Sequence, residues 1–275
     1  MFGWGIYDFF AGVYSKKIGP FITFFWSQLA GLFFVLLLVS VAKITLNIPV
    51  LTIILLPIAA LFYSAGYLLF MKGFEVGNIS IVAAIMNLWA VFTILIAYIF
   101  MGQRLSTPQS IGVLMIISGA TFASLNRNNI SNKSHQLSSG VKETVIGAFF
   151  FGAFWNISEV ISEIIGWLLT TLYVKIGIIL SLLLLSFLIK RELYLTKATN
   201  KTKLMVVLMG IIEAGAVAIL NFGLMIGDAI LITPIASALS VVTITMAVLF
   251  LKEKVTKLQG FGIITAISGI IVTGF

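Results

Sequence analysis

The sequence predicts an all-α polytopic membrane protein, with ten transmembrane helices arranged as two inverted-topology five-helix repeats. Three observations carry this expectation. The 275 residues are 60% hydrophobic and only 9% charged, where a soluble domain carries about 25% charged residues. The apolar residues fall into repeated runs of membrane-spanning length. The second half of the chain also resembles the first.

The apolar runs are 2–15, 18–40, 48–71, 78–101, 106–125, 143–162, 164–189, 204–226, 229–251 and 257–275. At 1.5 Å per residue most of them cross a hydrocarbon core of about 30 Å. The first is short and relies on local thinning of the bilayer or on its neighbours. Two polar stretches, 126–142 and 190–203, are rich in Ser, Thr, Asn and Lys and read as loops. The opening MFGWGIYDFFAGVYSKK lacks the basic start of a secretory signal and carries Asp8 within its apolar run. With no cysteine in the chain, disulfides, thiolate nucleophiles and zinc-thiolate sites are excluded. The one histidine, His135, lies in a polar loop, so histidine-based metal or triad chemistry is not expected. The formal charge of +8 reports loop orientation in such a chain and not nucleic-acid binding.

Self-similarity is plain at a shift of 150 residues. GFEVGNIS (73–80) falls on GLMIGDAI (223–230), and VFTILIAYIF (91–100) on VVTITMAVLF (241–250). Residues 73–119 and 223–269 share 13 identities in 47 positions without a gap. Nearer the start of each half the shift is 147, with WGIYDFFAGVYSKKIG (4–19) on FGAFWNISEVISEIIG (151–166). The domains expected are therefore a first repeat at 1–125, a polar linker at 126–142 and a second repeat at 143–275. Five spans is an odd number, so the second repeat enters the membrane inverted. That arrangement is typical of secondary transporters, with solute sites near the midplane between the repeats.

The runs WGIYDFFAGVYSKKIGP and EVGNISIVAAIMNLWAVFTILIAYIFMGQRLSTPQSIGVLMIISG resemble the drug/metabolite transporter superfamily, in its ten-span EamA-type branch. So does IGDAILITPIASALSVVTITMAVLFLKEKVTKLQGFGIITAISG in the second half. The resemblance covers essentially the whole chain. Its most specific pieces are Gly77 and Gly227, Pro234, and the short turns GQRLS and KEKVT. Glu253 keeps the glutamate usual in that turn and Gln103 departs from it. The proline usual in the fourth span is Ala84 here. The resemblance implies a transporter of small organic solutes with a central cavity lined by the first, third, fourth, sixth, eighth and ninth spans.

Orientation divides the two lines of reasoning. With alternating spans, fourteen Lys and Arg residues fall on one side and two, Lys43 and Arg104, on the other. The basic side should be cytoplasmic, which places both termini outside. The resemblance implies termini inside. A prokaryotic cytoplasmic membrane is the expected location.

Ionisable groups inside spans are the candidate functional residues. Glu213 lies about ten residues past Lys203, or about 15 Å into the bilayer. It is a candidate coupling-ion site, set against a structural carboxylate bonded across helices. Asn221 lies two turns further along the same face. Under the repeat, Glu213 corresponds to Tyr63 and Val217 to Tyr67, so the halves offer a carboxylate-and-amide wall and an aromatic wall to one wet cavity. Asp8 and Glu159 are the other coupling-ion candidates, each set against a place near a membrane surface; Glu163 reads as a solvated turn residue. Lys175, aligned with Gln28, is the one base deep in a span, and Glu159 or Glu213 are its expected partners. A helix-fixing salt bridge and a solute contact are both open for it. Asn87, Trp89, Trp155, Asn156 and Ser237 are further cavity candidates, while Trp4 and Trp167 fit an interfacial belt. Pro234 frees the carbonyl of Ile230 and marks a gate or a static kink. The glycines 112, 119, 262 and 269 read as close helix packing.

The function expected is secondary active transport of a small organic metabolite by alternating access, since no nucleotide-binding loop is present. An amino acid, an amine or another zwitterionic or neutral solute suits three deep carboxylates against one lysine. A phosphate-bearing solute would want several Lys or Arg. Protons are the expected coupling ion, through Glu213. The alternatives are a lipid flippase or a non-transporting membrane sensor, and less so a membrane enzyme. No cofactor, metal site, catalytic residue or nucleic-acid partner is expected. The partners are the bilayer, the solute and protons. The oligomeric state is left open.

Overall fold

A computed structural model describes residues 1–45, 48–76, 82, 85–125, 140–190, 192–195, 198–252 and 255–275. Gly77, Ala84, Glu253 and all but the last three residues of the expected linker lie outside them, as do Arg127, Lys133 and His135.

The described chain is helical throughout. Its segments are α1 (Phe2–Ile18), α2 (Pro20–Val41), α3 (Val50–Val76), α4 (Leu88–Phe100), α5 (Thr107–Ser124), α6 (Val141–Ile165), α7 (Trp167–Leu188), α8 (Asn200–Ile226), α9 (Ala229–Ser237), α10 (Leu239–Leu251) and α11 (Lys257–Val272). Taken together, α9 and α10 make one interrupted ninth span, which gives ten spans. Six, including that one, are long and apolar enough to cross a membrane, and the shorter α4 and α11 are equally apolar in character. The first span runs to Ile18 and the eighth begins at Asn200, beyond the limits of the apolar runs. Helical hydrogen bonding continues into polar residues that hydropathy alone discards.

The repeat recurs in the backbone. Gly19 (φ 86) and Gly166 (φ 83), joining α1 to α2 and α6 to α7, are 147 residues apart and share a left-handed conformation that suits glycine. Each accepts a bond from a threonine hydroxyl one turn later, Thr23 and Thr170. Lys43 and Lys190, at the same offset, both have φ 51. Gly102 (φ 71) and Lys252 (φ 56) are 150 apart. Ser106 and Thr256, also 150 apart, cap α5 and α11 with the same capping box, closed by Gln109 and Gln259.

Two compact units divide the chain. One holds Phe2–Ser64 and Ile157–Ile226, the other Met1, Ala65–Asn156 and Gly227–Phe275. Each therefore draws helices from both repeats, and α3 and α6 contribute to both units. In the first, Val35 and Val39 of α2 form an apolar core with Leu168, Leu169 and Leu172 of α7 and Ala214 of α8.

In the second unit, α5 packs on its repeat equivalent α11. A Cβ on Gly112 would lie 2.8 Å from the Gly269 carbonyl oxygen, and one on Gly119 would lie 2.7 Å from that of Gly262. The reciprocal approaches, Gly269 to Gly112 and Gly262 to Gly119, are both 2.6 Å. The pairings run in opposite directions, so the helices are antiparallel. Shifting each residue by the repeat length turns one pairing into the other, which makes this an internal two-fold interface and shows the inversion directly. The small-residue packing expected for these glycines is what the structure holds.

The ninth span is interrupted at Ala238, four residues after Pro234, which lies within α9. The break expected at Pro234 itself is thus displaced. Proline removes a bond at its own nitrogen, and the chain leaves helical geometry one turn later.

Substitution separates crowded from open glycines. Gly119→Ala should lower unfolding stability by about 1–3 kcal/mol through overpacking. Gly215→Ala, where an added Cβ meets nothing within 4 Å, should be neutral or stabilising by up to about 1 kcal/mol. Reversible unfolding in detergent checks both, and equal effects would contradict the packing described.

Candidate functional site: a buried ion pair between repeat equivalents

Glu213 sits in the middle of α8, flanked by Gly210 and Gly215. Of these, Gly210 lets α2 approach: a Cβ on Gly31 would lie 2.8 Å from the Gly210 carbonyl oxygen. The carboxylate is closed off, with 1% of the residue exposed. Its Oε2 is 2.6 Å from Lys175 Nζ of α7, and its Oε1 accepts a 2.8 Å bond from the Tyr63 hydroxyl of α3. Lys175, also 1% exposed, donates a second bond of 2.9 Å to Gln28 Oε1 of α2. Phe24 stacks beside Tyr63 with ring centroids 6.5 Å apart. Tyr7 of α1 reaches Ser27 Oγ at 3.2 Å.

Of the two partners considered for Lys175, the structure pairs it with Glu213. Both bonds around that pair join repeat equivalents, Tyr63 with Glu213 across 150 residues and Gln28 with Lys175 across 147. The open, wet face expected beside Glu213 is instead occupied by these side chains. The walls expected to face each other across a cavity are in contact.

Asn221 is buried two turns beyond Glu213. Its Oδ1 accepts from Ser158 at 2.8 Å, and its Nδ2 donates to Thr171 Oγ1 at 2.9 Å. Thr171 in turn donates to the Trp167 carbonyl. This second polar link ties α6, α7 and α8 together, and Ser158 and Thr171 drew no attention in the sequence. Glu159, next to Ser158, is 1% exposed and lies six residues before α6 ends at Ile165, so it is covered by protein near the end of its span. Glu163 is exposed as expected. Asp8 is half-buried on α1 and electrostatically coupled to Glu213.

The remaining candidates belong to the other unit. Trp89 and Trp155 pack together with centroids 6.2 Å apart, both buried. Asn156 donates to the carbonyls of Gly152 and Thr93 at 2.8 and 3.2 Å. Asn87, just before α4, makes long 3.4 Å contacts with Ser124 and Ser240. Ser237 donates to the Pro234 carbonyl at 2.7 Å, and Tyr67 is half-buried. Trp4 is buried at 8% exposure, which corrects its expected place in an interfacial belt. The Gly3 backbone beside it packs on Ala216 of α8. Gln103, the departure from the usual glutamate, accepts a 3.0 Å bond from the Ile230 backbone N–H and so caps the first turn of α9. An amide oxygen serves there without a charge. No cluster of three or more metal-ligating side chains occurs among the described residues.

Ten spans, two inverted repeats and a charged pair deep among apolar helices define an integral membrane protein of the transporter class. A family model of EamA-like transporters matches residues 1–125 and 138–275. The chain belongs to the EamA-like transporter family, within the drug/metabolite transporter superfamily. It is a transporter and not an enzyme. Comparison with curated proteins gives no match. A solved crystal structure of a protein superposes with a TM-score of 0.81 at 15% identity, covering 96% of this chain and 89% of the other. That likeness is one of fold.

Removing one charge should be worse than removing both. Lys175→Met leaves an uncompensated carboxylate and should cost about 3–5 kcal/mol. Adding Glu213→Gln should recover part of it, with a coupling energy of about 0.5–3 kcal/mol in a double-mutant cycle. Additive effects would show that the pair does not interact.

Proposed function

We propose that this transporter is secondary active, works by alternating access between its inverted repeats, and couples solute movement to protons through Glu213. The observation that carries the reading is the ion pair Lys175–Glu213 at 2.6 Å, held deep among apolar helices with both members 1% exposed. A buried pair of this kind adds little net stability over a well-packed apolar pair, because both charges must be desolvated. Its distinctive property is conditional neutrality. A proton on Glu213 removes the negative charge and leaves Lys175 without a counter-ion. The pair can open only if a proton and a replacement partner arrive. Proton occupancy and solute occupancy are thereby linked.

The solute class that suits the site is small and metabolite-like, with an amino acid as the best single choice. Asp8, Glu159, Glu213 and Lys175 are ionisable groups within α1, α6, α8 and α7 of one unit. One lysine against three carboxylates does not match a phosphate carrying about −1.5 to −2 charges. No ATP-binding loop occurs in the sequence, so a gradient or exchange supplies the driving force.

The test uses purified protein in liposomes loaded with a pH-sensitive dye. Amino acids, amines and neutral metabolites are added singly to wild type and to Glu213→Gln. Solute-dependent proton movement in wild type that disappears in Glu213→Gln is the expected result. Undiminished proton movement in that variant would return Glu213 to a purely structural role.

A further inference from the structure

We propose that Gln28 and Lys175 together form a carboxylate subsite, so that the solute carries a carboxylate which replaces Glu213 at Lys175. This deepens the proposed function and rests on its reading of Glu213 as the group that takes the proton.

An ammonium donates and never accepts, so the bond from Lys175 Nζ fixes the Gln28 side chain with Oε1 toward the lysine. The Gln28 Nε2 group is thereby turned away. It is fully buried and has no acceptor among the described residues. An amide donor buried without a partner is costly, and native structures rarely leave one. Lys175 has three N–H groups, of which two meet acceptors among the described residues, Gln28 Oε1 and Glu213 Oε2. The absence of a side chain at Gly31 is what lets Nζ lie so near the α2 backbone, since a Cβ there would be 3.2 Å from it. Lys175 on α7 and Gln28 on α2, joined through the 2.9 Å bond from Nζ to Oε1, thus each keep a donor to spare. A carboxylate presents two oxygens to two such donors and supplies the charge that Lys175 needs once Glu213 is protonated.

Charge balance fixes the exchange. At rest the ammonium of Lys175 is matched by the carboxylate of Glu213. In the loaded site Glu213 takes one proton from solution and becomes a neutral acid, while the solute carboxylate takes its place at Lys175 and Gln28. Both states are neutral at the pair, so proton and carboxylate cross together. Among the described residues, the other titratable groups acting on the pair or its partner are Tyr63 on α3, bonded to Glu213, Asp8 on α1, which acts on Glu213, and Tyr7 on α1, which acts on Tyr63. An amine without a carboxylate supplies nothing to Lys175, and this narrows the solute class left open above.

The experiment uses the full chain in detergent. Binding of a panel of amino acids is read from thermal shift and tryptophan fluorescence, each against its matched amine lacking the carboxylate and its matched acid lacking the amino group. Amino acids that bind should do so at least tenfold more tightly than the matched amines. Gln28→Glu keeps an acceptor for Lys175 but removes the spare donor, and should weaken carboxylate binding at least tenfold in folded protein. Gln28→Met, which removes donor and acceptor without adding charge, should weaken it likewise. Amines that bind as tightly as their parents, unchanged affinity in both Gln28 variants, or no binding by any carboxylate-bearing member of the panel would overturn the subsite. Proton movement that still depends on Glu213 while both Gln28 variants bind normally would overturn the subsite alone. Binding that depends on Gln28 alongside proton movement indifferent to Glu213 would leave the subsite standing and remove the coupling reading.

Discussion

A carboxylate in the middle of an apolar helix must be matched by something, and much of this protein's polar interior is arranged around that need. Glu213 is matched by Lys175 on one oxygen and Tyr63 on the other. Lys175 brings in Gln28, and Gln28 sits on the stretch of α2 that the glycines Gly31 and Gly210 bring against α8. Large side chains at either glycine would hold the helices apart and strand the charges. The small residues and the ion pair are one construction: close backbone approach supplies the partner that the charge requires.

The partners are not arbitrary. Tyr63 and Glu213 occupy equivalent places in the two repeats, and so do Gln28 and Lys175. In a two-fold arrangement, equivalent positions meet only near the axis. The polar cluster therefore lies where the first unit's internal symmetry passes, and at that point the halves have diverged. One contributes both charges, and the other a neutral donor and a neutral acceptor. The packing of α5 on α11 shows the same relation without chemistry, through glycine pairings that exchange under the repeat. Symmetric architecture thus carries asymmetric side chains, with both charges of the pair on the second repeat.

The span count, the repeat and its inversion were legible in the sequence, because hydropathy and self-similarity are dense signals spread over many residues. The equivalence of Glu213 with Tyr63 and of Lys175 with Gln28 was legible too. That equivalents would touch was not, since an alignment gives correspondence and not distance. The bonds that join Asn221 to Ser158 and Thr171 were hidden for another reason: single hydroxyls in apolar helices most often bond their own backbone, as Thr170 does. The break at Ala238 was misplaced because proline marks the lost bond and not the residue where the helix gives way. Trp4 was misread as an interfacial anchor because position in a span says nothing of which neighbours cover it.

Proton coupling through Glu213 requires its protonation state to change with solute occupancy. Infrared difference spectroscopy on the reconstituted protein reads this directly, through the carbonyl stretch of a protonated carboxylic acid. With coupling through Glu213, such a band develops on addition of transported solute and is absent without solute and in Glu213→Gln. A spectrum with no solute-dependent carboxylic acid band, under conditions where transport proceeds, would show that Glu213 stays ionised and paired throughout and would contradict the account.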